Sequence, residues 1–265
     1  MKASYFLFSL ILSLLLSCKD KVQEPFSFVQ MCDTQLGMGG YEHDKQTFEQ
    51  AVKQINVLAP DFVVICGDLV NNATDSSFND FNFIKNGFNM PCYCAPGNHD
   101  VENTPSDSSL VKYRNAIGKD YFDFQNKGHS FLVCNTQLWK VPTGIESEKH
   151  DKWFKDKLEE MNKKQEPVFV VGHFPLYLEA PDEKDQYFNL PQTKRKELLN
   201  LFEQKNVKAY LSGHTHKTII NNYKGIQLVS GEVTSKNFDK RPLGFRLWTV
   251  DKDSIQHKFV ALENQ

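Results

Sequence analysis

The chain alternates short apolar runs with longer segments of helical periodicity. The runs at 26–32, 62–66, 91–95, 168–171 and 208–211 are apolar at nearly every position, the pattern of strands buried on both faces. Between the first two, residues 45–58 place Phe48, Ala51, Val52, Ile55 and Leu58 three or four apart, which predicts a helix with one apolar face. Helices are expected also over 76–86, 106–117, 146–165 and 191–205, with Trp153, Phe154 and Leu158 of the 146–165 segment facing inward. Beyond residue 211 the pattern is strand only, at 218–223, 226–230, 245–250 and 255–261. Strand–helix alternation followed by a strand-rich tail predicts an α/β fold, a four-layer α/β/β/α sandwich of two mixed sheets flanked by helices. No repeat, low-complexity tract or linker divides residues 26–265, which read as one domain.

The first 25 residues depart from this pattern. Met1 and Lys2 precede an apolar stretch from Tyr5 to Leu16, about a dozen residues, too short for a spanning helix of ~20 but suited to a secretory signal. Leu15-Leu16-Ser17-Cys18 resembles the bacterial lipobox, which implies a signal peptide over 1–17, lipidation of Cys18 and a polar tether over 18–25. The alternative is an ordinary signal peptide with Cys18 incidental. Lys19 after the cysteine resembles outer-membrane sorting, so the expected location is the cell envelope, lipid-anchored in the outer membrane or at the surface of a Gram-negative bacterium.

Composition narrows the function classes. Of 265 residues 40% are hydrophobic and 24% charged, which is globular and excludes a disordered or fibrous chain. With 31 basic against 33 acidic side chains and a net charge of -2, no bulk positive charge is available to grip nucleic acid. The chain is expected to be a monomer. Apart from Cys18, the cysteines at 32, 66, 92, 94 and 134 fall in apolar strand-like runs and read as packed thiols rather than a disulfide framework.

The chemistry gathers where the apolar runs end. In order these ends read Asp33-Thr34-Gln35, Gly67-Asp68-Leu69-Val70-Asn71, Gly97-Asn98-His99-Asp100, Gly172-His173 and Gly213-His214-Thr215-His216. Any one of these is a common turn element. Five in series, each delivering a carboxylate, amide or imidazole to a strand's carboxyl end, point to one shared site. Mixed nitrogen and oxygen donors suit divalent manganese, iron or zinc.

This series resembles the calcineurin-like metallophosphoesterase superfamily, with motifs D-x-H, G-D-x-x-[DN], G-N-H-[DE], G-H and G-H-x-H. A narrower similarity is to its small single-domain Ser/Thr phosphatases of the CPPED type. It rests on Asp33-Thr34-Gln35-Leu36-Gly37, on Asn103-Thr104-Pro105 after Asp100, on Phe174-Pro175-Leu176-Tyr177-Leu178-Glu179, and on Tyr187-Phe188-Asn189-Leu190 with Thr193-Lys194-Arg195. The resemblance implies two divalent metal ions: one on Asp33, Asp68 and His216, the other on Asn98, His173 and His214, with Asp68 bridging. It implies a phosphoester substrate, a phosphomonoesterase attacking through a bridging metal hydroxide, and His99 assisting the leaving group. Asn71 lies where many relatives carry an Asp that pairs with this histidine, and its amide could orient the imidazole. The first motif departs from the superfamily pattern, with Gln35 where a histidine ligand is usual. Gln35 is a weaker donor, as in the subgroup it resembles. The alternatives are a phosphodiesterase acting on cyclic nucleotides or envelope phosphodiesters, and a non-catalytic binding lipoprotein with a degenerate metal site.

Histidines outside the motifs take structural readings first. His129, after a turn, and His150, in a charged helix, are expected at the surface, while His43 could rim the site. The acidic run 179–185 reads as a solvated loop or as a shaper of substrate access. Lys240-Arg241-Pro242 reads as a plain turn or as cations beside a phosphate.

Overall fold

The computed structural model describes residues 24–263, so the expectations for the signal peptide, Cys18 and most of the tether lie outside the described residues. Its strands are β1 (Phe26–Met31), β2 (Phe62–Cys66), β3 (Cys92–Ala95), β4 (Phe122–Asn126), β5 (His129–Val133), β6 (Val168–Val171), β7 (Val207–Ser212), β8 (Ile219–Tyr223), β9 (Ile226–Ser230), β10 (Gly244–Asp251) and β11 (Ser254–Ala261). The helices are α1 (Tyr41–Leu58), α2 (Asp75–Lys85), α3 (Asn98–Val101), α4 (Asp107–Ala116), α5 (Gln137–Lys140), α6 (Ile145–Lys163) and α7 (Gln192–Gln204). They form a five-stranded sheet, β11-β10-β1-β2-β3, and a six-stranded sheet, β4-β5-β6-β7-β9-β8. In the first, β1, β2 and β3 are parallel and β10 and β11 antiparallel; in the second, β5, β6, β7 and β9 are parallel between antiparallel edges.

Strand alternation explains the layers. In β2, Phe62, Val64 and Cys66 point between the sheets while Val63 and Ile65 face α1, α2 and α4. In β6, Phe169 and Val171 point between the sheets while Val168 and Val170 face α6 and α7. Each such strand is buried on both faces, which is why it reads as a continuous apolar run. The expected four-layer sandwich is the observed one, and the carboxyl ends of β1, β2, β3, β6 and β7 meet at one rim of the paired sheets.

Three local expectations are revised. Between 118 and 144 the pattern offered only the strand-like run around Cys134, and β4 (Phe122–Asn126), the start of β5 and α5 were not assigned. His129 is buried, its ring 5.1 Å from that of Phe26 and its Nδ1 3.3 Å from the Lys127 carbonyl. His150 is buried as well, among Tyr121, Trp139 and Trp153 at 4.9–5.9 Å, and burial holds its imidazole neutral with a pKa pushed down to about 4. Aromatic neighbours from separate segments enclose it, so its own charged helix gave no sign of burial. The cysteines at 32, 66, 92, 94 and 134 are free thiols, all buried except the half-buried Cys92. Among the described residues no helix is long and apolar enough to cross a membrane.

Candidate metal centre

The loops after β1 and β2 run side by side. Asp33, Gln35 and Leu36 donate main-chain N–H groups to the carbonyls of Gly67, Asp68 and Leu69 at 3.2, 2.9 and 3.3 Å. This holds Asp33 and Asp68 on neighbouring strand ends. Asp33, Gln35, Asp68, His214 and His216 all have positive φ, between 32° and 69°. Each such non-glycine residue costs of order 1–3 kcal/mol, and five at one rim mark a place where side-chain direction outweighs backbone comfort. Two glycines make room for the carboxylates: a Cβ on Gly97 would lie 2.1 Å from Asp68 Oδ1, and one on Gly213 would lie 2.5 Å from Asp33 Oδ2.

The imidazoles are oriented from behind. His173 Nδ1 lies 2.8 Å from the Cys66 carbonyl, His216 Nδ1 2.5 Å from that of Lys236, and His214 Nε2 3.4 Å from that of Tyr187. Carbonyls only accept, so these nitrogens carry the protons and the lone pairs fall on His173 Nε2, His216 Nε2 and His214 Nδ1. His173 Nε2 then stands 3.1 Å from His214 Nδ1, 3.2 Å from Asn98 Oδ1 and 3.3 Å from Asp68 Oδ2. Four acceptors converge there with no donor among them, and such a cluster is stable only around a cation. A second proton on His173 is the least such cation. Burial disfavours it, but the Asp68 carboxylate raises the His173 pKa to about 9. Burial and the charge on His173 together push His214 well down, leaving it a neutral donor. Donor atoms of Asp68, His173 and His214 lie within 4.8 Å of one another, the spacing of a metal-ligand group.

Asp33 and His216 stand beside this cluster, His216 Nε2 3.5 Å from Asp33 Oδ1. Burial raises the Asp33 carboxyl to about 6, against the pull of His216 and His173. Its oxygens accept the His214 main-chain N–H at 3.1 and 3.0 Å. Gln35 is buried, donates Nε2 to Asn71 Oδ1 at 3.3 Å, and leaves Oε1 with no hydrogen-bond partner. A buried amide oxygen without a donor is costly unless a cation completes it. This orphan, with the acceptor cluster and the mixed carboxylate, amide and imidazole set, fits divalent metal.

His99 is half-buried on α3. Its Nδ1 lies 2.9 Å from the Asn71 main-chain carbonyl, and its main-chain N–H donates to Asp68 Oδ1 at 2.9 Å. The expectation that the Asn71 amide orients this ring is corrected: the contact comes from the Asn71 backbone, because its side chain is engaged by Gln35. His43 is half-exposed and lies 2.9 Å from Asp44, whose carboxylate accepts the N–H groups of Gly37 and Gly39. In the acidic run, Glu183 is a structural clamp, accepting main-chain N–H groups from Leu178, Glu179 and Ala180.

Several residues support the donors, among them Asp100, whose motif was legible in the sequence but whose role was not, and Thr136 and Ser235, which lie outside the motifs. Asp100 accepts N–H groups from Leu69, Val70 and Gly97, tying the β2 loop to α3. Thr136 Oγ1 accepts those of His173 and Phe174 at 3.1 and 3.0 Å. Ser235 donates its hydroxyl to the Asp33 carbonyl at 2.7 Å. Thr136 did carry a signal, since it follows the apolar run 131–134 as the motif residues follow theirs.

Comparisons with known proteins bear on this geometry. The family profile described as calcineurin-like phosphoesterase matches residues 26–218. The serine/threonine-protein phosphatase CPPED1 of Danio rerio is 32% identical over 264 residues, covering 90% of this chain and 85% of that protein. A 3',5'-cyclic adenosine monophosphate phosphodiesterase, CpdA of Haemophilus influenzae, is 25% identical, covering 82% of this chain and 76% of its own. Among solved structures, a dimetal phosphatase from Danio rerio superposes with a TM-score of 0.68 at 18% identity, covering 88% of this chain and 95% of its own.

Proposed function

The chain belongs to the calcineurin-like phosphoesterase family, whose members are hydrolases of phosphoester bonds, and on that premise we propose that it is a two-metal phosphomonoesterase. The observation that carries this reading is the convergence of Asp68, His173 and His214 donor atoms within 4.8 Å. In this reading Asp33, Gln35 and His216 hold one divalent ion, Asn98, His173 and His214 hold the other, and Asp68 is shared. Manganese, iron and zinc suit the donors. When bound, the ions supply a nucleophile from water at neutral pH and offset phosphoryl charge.

The chain's own residues do the rest. The carbonyls of Cys66, Lys236 and Tyr187 fix the imidazole tautomers. His99 Nδ1–H rests on the Asn71 carbonyl, so the ring can act on the departing ester oxygen only as the doubly protonated imidazolium, which would give up its Nε2 proton and end as the neutral Nδ1–H ring. Asp68 Oδ1 accepts the His99 main-chain N–H, so the shared carboxylate also sets the position of that acid.

A second reading, phosphodiesterase, is favoured by the similarity to CpdA. The test compares 4-nitrophenyl phosphate with bis(4-nitrophenyl) phosphate on manganese-loaded protein. Higher kcat/KM on the monoester is expected. Preference for the diester would assign the second reading, and no turnover with fewer than one ion per chain would leave a binding protein.

For the N-terminus we infer a signal peptide over 1–17, lipidation at Cys18, and a monomeric domain over 26–265 held by its tether at the cell envelope. The lipobox-like sequence Leu15-Leu16-Ser17-Cys18 supports this. Palmitate labelling of the wild type that disappears in Cys18→Ala is expected, and labelling that persists would refute the site.

A further inference from the structure

Most large apolar side chains left in solvent lie on helices or on the edge strand β8, away from the site. Two do not. Tyr187 is 53% exposed and Phe238 is 43% exposed, and each lies against a histidine of the metal centre. The Tyr187 ring is 5.0 Å from that of His214, and the Phe238 ring is 4.8 Å from that of His216, nearly parallel at 23°. The Tyr187 hydroxyl also receives Asn98 Nδ2 at 3.4 Å, which places the phenol at the donor set itself.

Both rings sit on loops held stiffly by groups that have no part in ester chemistry. Around Tyr187, the Glu183 carboxylate collects three main-chain N–H groups and Asn189 Nδ2, the last at 2.6 Å. Lys140 Nζ donates to the carbonyls of Gln186 and Asn189, both at 2.6 Å, and buried Arg195 donates to those of Pro181, Glu183 and Leu190, each at 2.9 Å. Around Phe238, its own N–H donates to the His216 carbonyl at 2.8 Å, while Asp239 accepts N–H groups from Thr218 and Arg241 at 3.1 and 3.2 Å. An aromatic face held toward water on an ordered loop forgoes burial, and it can meet another flat surface at little ordering cost.

We propose that Tyr187 and Phe238 form an aromatic rim that selects phosphate esters carrying a flat ring next to the phosphate. One ring stands at a histidine of each half of the centre, so a phosphoryl group held there leaves its ester substituent beside an aromatic face. A planar phenol or nucleobase stacks on such a face, while the short alkyl chain of a serine or glycerol ester offers little to stack. The proposal rests on the phosphoester-hydrolase reading for its substrate.

The test uses full-length manganese-loaded protein and the variants Tyr187→Leu, Phe238→Leu and the double substitution. Phosphotyrosine and adenosine 5'-monophosphate are compared with phosphoserine and glycerol 2-phosphate. Each substitution is expected to lower kcat/KM on ring-bearing esters by about three- to tenfold relative to the alkyl esters, at constant metal content. A selective loss on phosphotyrosine would point to phenol esters, and one on the nucleotide to nucleobases. Equal losses on both kinds, or none on either, would overturn the proposal. Calorimetry with phenylphosphonate and methylphosphonate, which are not hydrolysed, separates the rim from the chemistry. If no ester turns over, the hydrolase reading fails. The rim still predicts about three- to tenfold weaker phenylphosphonate binding in the variants relative to methylphosphonate, and equal affinities would refute it.

Discussion

On the side of β2, β3 and β6, the donors of Asp68, Asn98 and His173 crowd with His214 into a cluster whose contacts are all 3.1–3.3 Å. On the β1 side, Asp33 and His216 stand 3.5 Å apart, and Gln35 keeps an oxygen with no partner. In the first half the Asp68 carboxylate, against burial, raises the His173 pKa to about 9, so the crowded acceptors favour a positive charge among them. The second half has a carboxylate, one imidazole and a neutral amide, and its Asp33 is raised toward protonation by burial. The crowded half is therefore expected to bind its ion more tightly than the open half. Asp68 ties the two and also reaches His99 through a main-chain N–H.

Removing the tie should have the largest effect. Asp68→Asn is expected to lose both ions and lower turnover by more than about 10³-fold, measured by metal content and hydrolysis together. Retention of two ions would show that the halves do not depend on it. His99→Asn should leave both halves filled and lower kcat by about 10²-fold or more. Unchanged kcat would remove His99 from the reaction.

Gln35→Leu separates the halves themselves. It should weaken one ion by about ten- to a hundredfold in a calorimetric titration and leave the other within a factor of a few, because Leu fills the space but offers no oxygen. Equal weakening of both would mean that Gln35 acts through packing. Thr136→Val is the mildest probe and acts on the other half. It strips the acceptor from the His173 and Phe174 N–H groups, and is expected to weaken the tighter ion by about tenfold and to lower stability by about 1–3 kcal/mol. A shift in the weaker ion alone would contradict the assignment of His173.

The core strands and the donor residues were legible because both follow from one constraint. A strand covered on both faces reads as an unbroken apolar run, and the polar residues that close it, such as Asp68 after Cys66, stand out at its carboxyl end. The region of β4 and β5 was harder. The edge strand β4, Phe-Asp-Phe-Gln-Asn, alternates over only five residues and carries no closing motif. The burial of His150 depends on Tyr121 and Trp139, rings brought in from other segments, and no local pattern encodes that. The support of His99 by Asn71 is a main-chain contact, so the identity of the side chain says nothing of it. Tyr187 lies in a stretch that carries the subgroup resemblance and Phe238 in no motif, and only the clamps of Glu183, Arg195 and Asp239 show where their rings are held.

In the proposed centre, two unequal halves hold two ions close enough to act on one phosphoryl group. Electron paramagnetic resonance during a manganese titration of the wild-type protein tests it most directly. An isolated six-line signal is expected up to one equivalent, then its replacement at two equivalents by a spin-coupled dimanganese spectrum as phosphomonoester hydrolysis appears. Saturation at one equivalent, or two ions that remain magnetically isolated while hydrolysis is complete, would contradict it.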